Sequence, residues 1–433
     1  MRIRRLHIVF LLFITFFLYS CEPEIDTLEP DAGEADFSVY VALGNSLTAG
    51  FADGELYKLG QMLSYPNIMA KQMIHAGAGE FKQPLMKDEL GFGNKLVLGY
   101  STDCLGNENM GPVPAGGSPD PANFANIFDE EGPFHNLGVP GTQTAHLLIP
   151  GYSLVNNYYG RFSSSVTARI IDDALNLDPT FFSLWIGSND ILGYALSGGG
   201  NGSITSLQQF RLSYESIISE LTQKTGKGVI ANIPDITSIP FFNTIPPNGL
   251  ILTNQSQIDS LNNLYEAYPD ITFNIGPNNF IVADSGESNG GFRQLNDNEL
   301  VLLTLPLNRV KCEGWGSVYP IPSNFYLSEE QINEIRQATV SYNDAIRDIA
   351  EENKLAWVDI YSLLQESITG ITFDGISFNT GYITGGVFSL DGVHLSPRGN
   401  AIIANYFIDA INARYESSIP KVSPAQYPGI IFP

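Results

Sequence analysis

Ser46, Asp391 and His394 are the side chains whose types and settings point to chemistry. Ser46 follows the apolar run at residues 39–43 through Gly44-Asn45, where a buried strand would end. A serine there is either an ordinary turn residue or a nucleophile presented at the carboxyl edge of a sheet. A nucleophile needs a base, and the chain has five histidines. His7 lies in the leader, His75 closes a helical pattern, and His135 sits within Phe134-His135-Asn136, a setting for a packed ring. His146, in Thr144-Ala145-His146-Leu147, reads as structural or surface. His394 differs because it stands in Asp391-Gly392-Val393-His394-Leu395-Ser396-Pro397. A carboxylate three residues earlier in a tight turn can curl back onto one imidazole nitrogen and fix the tautomer for base work. Nucleophile, base and orienting acid are three of the four parts of hydrolytic nucleophilic catalysis; the fourth is a set of donors for the oxyanion.

The elements that would position these residues alternate strand and helix. Strand-like apolar runs recur at residues 37–43, Phe134-His135-Asn136 with its flanks, 180–186, 228–233 and 355–360. Between them, residues 64–75 carry Ile68, Met69 and Met73 at helical spacing. Ser328-Glu329-Glu330-Gln331 is a capping box that opens a helix toward Asn353. Ser396-Pro397 starts a last helix with Ile402, Ile403, Tyr406, Phe407 and Ala410 on its buried side. This rhythm predicts an α/β fold with a parallel sheet covered on both faces. Residues 77–133 and 237–327, rich in Gly, Pro, Asn and Asp, break the rhythm and read as large insertions into one domain spanning 37–415, with a tail at 416–433.

Four short blocks, in order, resemble those of the SGNH or GDSL-type hydrolases: Gly44-Asn45-Ser46-Leu47, Asn136-Leu137-Gly138-Val139-Pro140-Gly141, Gly187-Ser188-Asn189-Asp190 and Asp391-Gly392-Val393-His394. The resemblance covers about residues 37–413 and implies a flavodoxin-like sheet. It makes Ser46 the nucleophile, His394 the base and Asp391 its partner. The N–H groups of Ser46 and Gly141 and the side-chain amide of Asn189 would form the oxyanion hole, with Gly138 the competing glycine. Asn45 departs from the family, which carries Asp there. The implied activity is hydrolysis of an ester, from an acyl lipid or an acylated carbohydrate, without metal or organic cofactor. A catalytically silent glycan- or lipid-binding protein on the same scaffold, or an O-acyltransferase, are the alternatives. Gly151-Tyr152-Ser153-Leu154 repeats the nucleophile spelling but follows Pro150 with no strand to feed it, which marks a loop. Phe81, Phe92, Tyr100, Phe124, Trp315 and Tyr319, in the insertions, would either line a substrate groove or form the insertions' own core.

The remaining signals concern location. Arg2, Arg4 and Arg5 precede an apolar run from Ile8 to Tyr19, too short to span a bilayer and suited to a signal peptide over residues 1–20. Leu18-Tyr19-Ser20-Cys21 resembles the bacterial lipobox, implying a lipid on Cys21 and attachment to a membrane of the cell envelope, on its periplasmic side or at the surface. Residues 22–36 hold seven acids and no base and read as a solvated tether. Cys104 and Cys312 then remain, free to pair outside the cytoplasm or to stay as buried thiols. The formal net charge of −24, more negative once the leader's arginines are removed, would repel phosphate backbones and argues against nucleic acid as a partner.

Overall fold

Five short strands, each buried almost throughout, carry the architecture: β1 (Tyr40–Gly44), β2 (Asn136–Gly138), β3 (Phe181–Trp185), β4 (Gly228–Ala231) and β5 (Ala356–Val358). They pair in parallel in the order β2-β1-β3-β4-β5, the doubly wound order of flavodoxin-like sheets. Strands this apolar on both sides need a cover on each face. On β3, Phe181 meets Tyr415 and Trp185 meets Phe407, while Phe182 and Leu184 alternate to the opposite face.

The computed structural model describes residues 29–200, 202–284 and 291–433, of which Asp31–Pro433 form one compact unit. The leader and Cys21 lie outside the described residues. The helices that matter for the site are α1 (Ser46–Ala49), α2 (Tyr65–Met73), α3 (Asn189–Leu196), α4 (Leu207–Lys224), α5 (Glu329–Glu352), α6 (Ile360–Thr369) and α7 (Pro397–Tyr415). The Ser328 capping box forms on α5, and Ser396 caps α7 by accepting the Gly399 N–H at 3.0 Å. α7 packs on α2, and α5 packs on α4.

The structure departs from the sequence expectations at three places. Tyr406 and Ala410 pack against the core but stay half-buried on α7, and Ala401, Ala404, Ile408 and Ile411 are buried on the same helix. The second strand begins at Asn136 rather than within Phe134-His135, because its register with β1 pairs Ala42 with Asn136 and Gly44 with Gly138. His135, before the strand, accepts the Lys82 N–H on Nδ1 at 3.1 Å. The acidic stretch is also not free to residue 36. The Glu34 N–H donates to the Tyr415 carbonyl at 2.7 Å, an acceptor that the end of α7 leaves open, and the Asp31 N–H donates to Ser418 Oγ at 2.8 Å.

Residues 77–133 contain an antiparallel hairpin, Leu96–Thr102 with Glu108–Pro114. Residues 237–327 hold a hydrophobic cluster of their own around Ile258, Tyr265, Phe273, Phe280 and Val282. A disulfide between Cys104, near the hairpin turn, and Cys312, on the helix Leu307–Glu313, ties one insertion to the other, with Lys311 and Asp103 paired beside it at 2.9 Å.

Candidate active site

β1 ends on Gly44 because nothing larger fits. A Cβ there would lie 2.1 Å from Thr48 Oγ1 and 2.5 Å from the Trp185 carbonyl. The chain turns at once into α1, whose first residue is Ser46. Asn45 is buried and its side chain accepts the Leu47 N–H at 3.0 Å. Asn45 thus supplies the acceptor that an aspartate would supply, without a charge beside Ser46.

The last block folds back on itself through Gly392, whose φ of +71° falls in the left-handed region. This puts His394 Nε2 2.8 Å from Ser46 Oγ and His394 Nδ1 2.9 Å from Asp391 Oδ2. Asp391 Oδ2 also accepts the Gly54 N–H at 2.9 Å. Its Oδ1 accepts the N–H groups of His394 and Val393, at 2.8 and 2.9 Å, and the Ser389 hydroxyl at 3.1 Å. Burial alone would raise this carboxyl, but the charge and hydrogen bond of the imidazole, together with the backbone N–H donors, hold it well below the usual carboxylate range. An ionised Asp391 can only accept, so Nδ1 carries the proton and Nε2 presents its lone pair to the Ser46 hydroxyl.

A second carboxylate, which the sequence did not single out, braces that turn. Asp53 accepts the Leu390 N–H at 3.0 Å and the Tyr57 hydroxyl at 2.8 Å, and its own N–H donates to Ser389 Oγ at 3.0 Å. Its φ of +54° is unusual for a residue with a Cβ. Burial, with the neighbouring Asp391 charge as a lesser cause, raises its pKa. Phe51, two residues earlier, sets its ring 4.6 Å from the His394 ring.

The loops beyond β2 and β3 meet on the other side of Ser46. Asn189 donates from Nδ2 to the Thr142 carbonyl at 2.9 Å, which orients the amide and leaves its second N–H for another acceptor. Asp190 Oδ2 accepts both the N–H and the hydroxyl of Thr144, at 2.9 and 2.8 Å, and ties the same loops again. The two glycines of the second block play different parts. The Gly138 N–H donates to Asn136 Oδ1 at 3.0 Å, and a Cβ on Gly138 would lie 2.3 Å from the Ala49 nitrogen. Gly138 therefore lets β2 approach α1. Gly141, at φ +78°, has open space around it and lines the cleft with Ser46 and Asn189.

That cleft is open, with a volume of about 850 Å³. Phe92 and Phe124 from the first insertion stack at 4.9 Å on its wall, Tyr158 packs on Phe92 at 4.9 Å, and Phe241 enters from the second insertion. Of the other aromatic candidates, Phe81 stacks on Tyr40 and Trp315 packs on Phe325, while Tyr100 and Tyr319 are exposed. Behind Ser46 and His394 lies a smaller cavity of about 70 Å³, almost wholly apolar. His146 stacks on Tyr152, and Ser153 lies in a short turn away from both cavities. Among the described residues no group of three or more His, Cys, Asp or Glu is disposed to hold a metal ion.

The family model described as GDSL-like Lipase/Acylhydrolase matches residues 40–407. A search of curated proteins finds no match. Solved structures similar to the chain include LAE5, an alpha/beta hydrolase enzyme from the metagenome of Lake Arreo, Spain, at 12% identity and TM-score 0.38, covering 88% of this chain and 97% of that one. Another is a catalytic mutant of an acetylxylan esterase from Geobacillus stearothermophilus, at 12% identity and TM-score 0.36, covering 89% and 96%.

Proposed function

The chain belongs to the GDSL-like lipase/acylhydrolase family, and on that premise we propose that it is a serine ester hydrolase that works through an acyl-enzyme on Ser46. The observation that carries the reading is the relay from Ser46 Oγ to His394 Nε2 at 2.8 Å and from His394 Nδ1 to Asp391 at 2.9 Å. Ser46 Oγ attacks the ester carbonyl carbon as its proton passes to Nε2. The resulting oxyanion is held by the N–H groups of Ser46 and Gly141 and the free amide N–H of Asn189. Loops that are already cross-linked need no reorganisation to provide these donors. Nε2 then delivers the proton to the leaving alkoxide oxygen and the alcohol departs. Water repeats the sequence: it gives a proton to Nε2, its oxygen bonds the acyl carbon, and Ser46 Oγ leaves with the proton returned. Asp391 stays ionised throughout and stabilises the imidazolium.

The leader and the Leu18-Tyr19-Ser20-Cys21 motif support attachment to the cell envelope through a lipid on Cys21. A clickable fatty acid fed to the producing cells would label the wild type and not Cys21→Ala.

The test of the activity is hydrolysis of p-nitrophenyl esters by the full chain in detergent, beside Ser46→Ala and His394→Ala. Each substitution is expected to lower kcat by about 10⁴-fold or more. Wild-type rates in either variant would refute the assignment.

A further inference from the structure

The two cavities share Ser46, Asn189 and His394 in their walls, and they differ in what they admit. The open cleft is flanked by Phe92, Phe124 and Tyr158 but also by Asn94, Asn156 and Asn157. The inner cavity is lined by Ser46, Asn189 and His394 together with Leu192, Ile236, Leu363, Leu364, Phe388 and Ile403. We propose that the inner cavity is the acyl site and that it takes a medium-length unbranched acyl chain, of about six to eight carbons, while the alcohol half occupies the cleft. This rests on the acyl-enzyme reading above.

Order of release decides which half goes where. The alcohol must leave before water can attack, and water must then reach the same carbon, so the alcohol side has to face the open cleft. The half that remains bonded to Ser46 can sit where nothing needs to pass. The inner cavity is narrower and apolar, which suits a hydrocarbon chain and disfavours a hydroxylated ring. Its size sets the length. At about 10–15 Å³ for each water-sized group, a volume of about 70 Å³ holds a chain of roughly five to seven methyl or methylene groups. Each added methylene should strengthen transition-state binding by about fourfold until the cavity is full.

The experiment is a chain-length series of p-nitrophenyl esters, acetyl to palmitoyl, on the full chain in detergent. Leu364→Phe and Ile403→Phe narrow the cavity, and Leu363→Ala widens it. The expected wild-type result is a rise in kcat/KM from acetyl to a maximum between hexanoyl and octanoyl, with palmitoyl at least tenfold lower. The narrowed variants, shown folded by a cooperative thermal melt, should lose at least tenfold in the ratio of hexanoyl to acetyl kcat/KM. Leu363→Ala, which does not depend on overpacking being tolerated, should move the maximum to longer chains. A wild-type maximum at acetyl or palmitoyl overturns the assignment, as does a profile that folded variants leave unchanged. In either case Ser46-dependent hydrolysis persists, so the acyl-enzyme reading stands. Hydrolysis of no ester at any length would instead refute that reading, and the acyl site with it.

Discussion

Asp53 holds Leu390 in place: its carboxylate accepts the Leu390 N–H at 3.0 Å, one residue before the acid of the relay. Three more hydrogen bonds run alongside, from Tyr57 to Asp53, from Asp53 to Ser389 and from Ser389 to Asp391. The loop that follows the nucleophile helix is thereby fastened to the turn that carries the base, and Gly54 completes the join at Asp391 Oδ2. Asp53→Ala should let that turn drift without touching substrate contacts. We expect kcat to fall by about 10²-fold, the scale of a 1 Å misplacement, with KM nearly unchanged. Asp53→Asn keeps an acceptor for Leu390 and should recover most of the loss. Steady-state kinetics of the two variants decides it, since a merely destabilising role would lower the amount of active enzyme in both and would not split kcat between them.

Asp391 yields a pH prediction of definite sign. Its native pKa lies below the unfolded value of about 3.9, so its contribution to stability is complete above that value and is lost as pH falls through the native one. The difference in urea midpoint between wild type and Asp391→Asn should shrink as pH falls from about 5 to about 2, because the unfolded carboxylate takes up its proton before the native one does. A difference that stayed the same over that interval would show that the carboxylate is not held ionised as its hydrogen bonds imply.

The Cys104–Cys312 bridge closes a loop of sequence separation 208 and joins the two insertions that flank the cleft. Replacing both cysteines by serine should cost about 2–4 kcal/mol, read as a lower denaturant midpoint in the absence of reductant. Neither cysteine lines the cavities at Ser46, and small esters should keep their kcat. KM for a bulky substrate that spans Phe124 and Phe241 should rise, because those side chains come from opposite sides of the bridge. Equal midpoints for the wild type with and without reductant would refute the stabilising role.

What was legible in the sequence was what local chemistry encodes. Ser46, Asp391 and His394 each stand in a short block at a strand end or a helix start, and the alternation of apolar runs with capped helices was enough for the α/β sheet. Asp53 was not legible, because its partners Ser389 and Leu390 lie more than 330 residues away and no periodic pattern marks such a contact. Its one local sign was Asp53-Gly54, an ordinary turn pair. The insertions were opaque for the same reason: Phe92 and Phe81 look alike in sequence, yet one lines the cleft and the other packs on Tyr40. The second strand falls on Asn136 and the downstream flank of its apolar run, because Phe134 is as apolar as a strand residue while the register pairs Gly138 with Gly44.

Gly138 and Gly141 make the last prediction, because they separate space from backbone conformation. At Gly138 an added methyl would meet the Ala49 nitrogen at 2.3 Å and the Thr48 carbonyl carbon at 2.6 Å, both backbone atoms of the helix that carries Ser46. Gly138→Ala must therefore push α1 away, and overpacking of this kind costs about 1–3 kcal/mol. Because the shift falls on Ser46, the proposed nucleophile, activity should drop by about 10²-fold or more. Gly141→Ala meets no atom within 4 Å. It retains its N–H and incurs only the strain of a left-handed φ, about 1–2 kcal/mol. The folded variant should stay within about tenfold of wild-type kcat, in keeping with a backbone donor rather than a side chain at that position. Thermal melts and kcat for the pair test both accounts at once. A fully active Gly138→Ala would mean that β2 does not pack on α1 as described, and an inactive but well-folded Gly141→Ala would mean that the cleft at Gly141 has no room once substrate is bound.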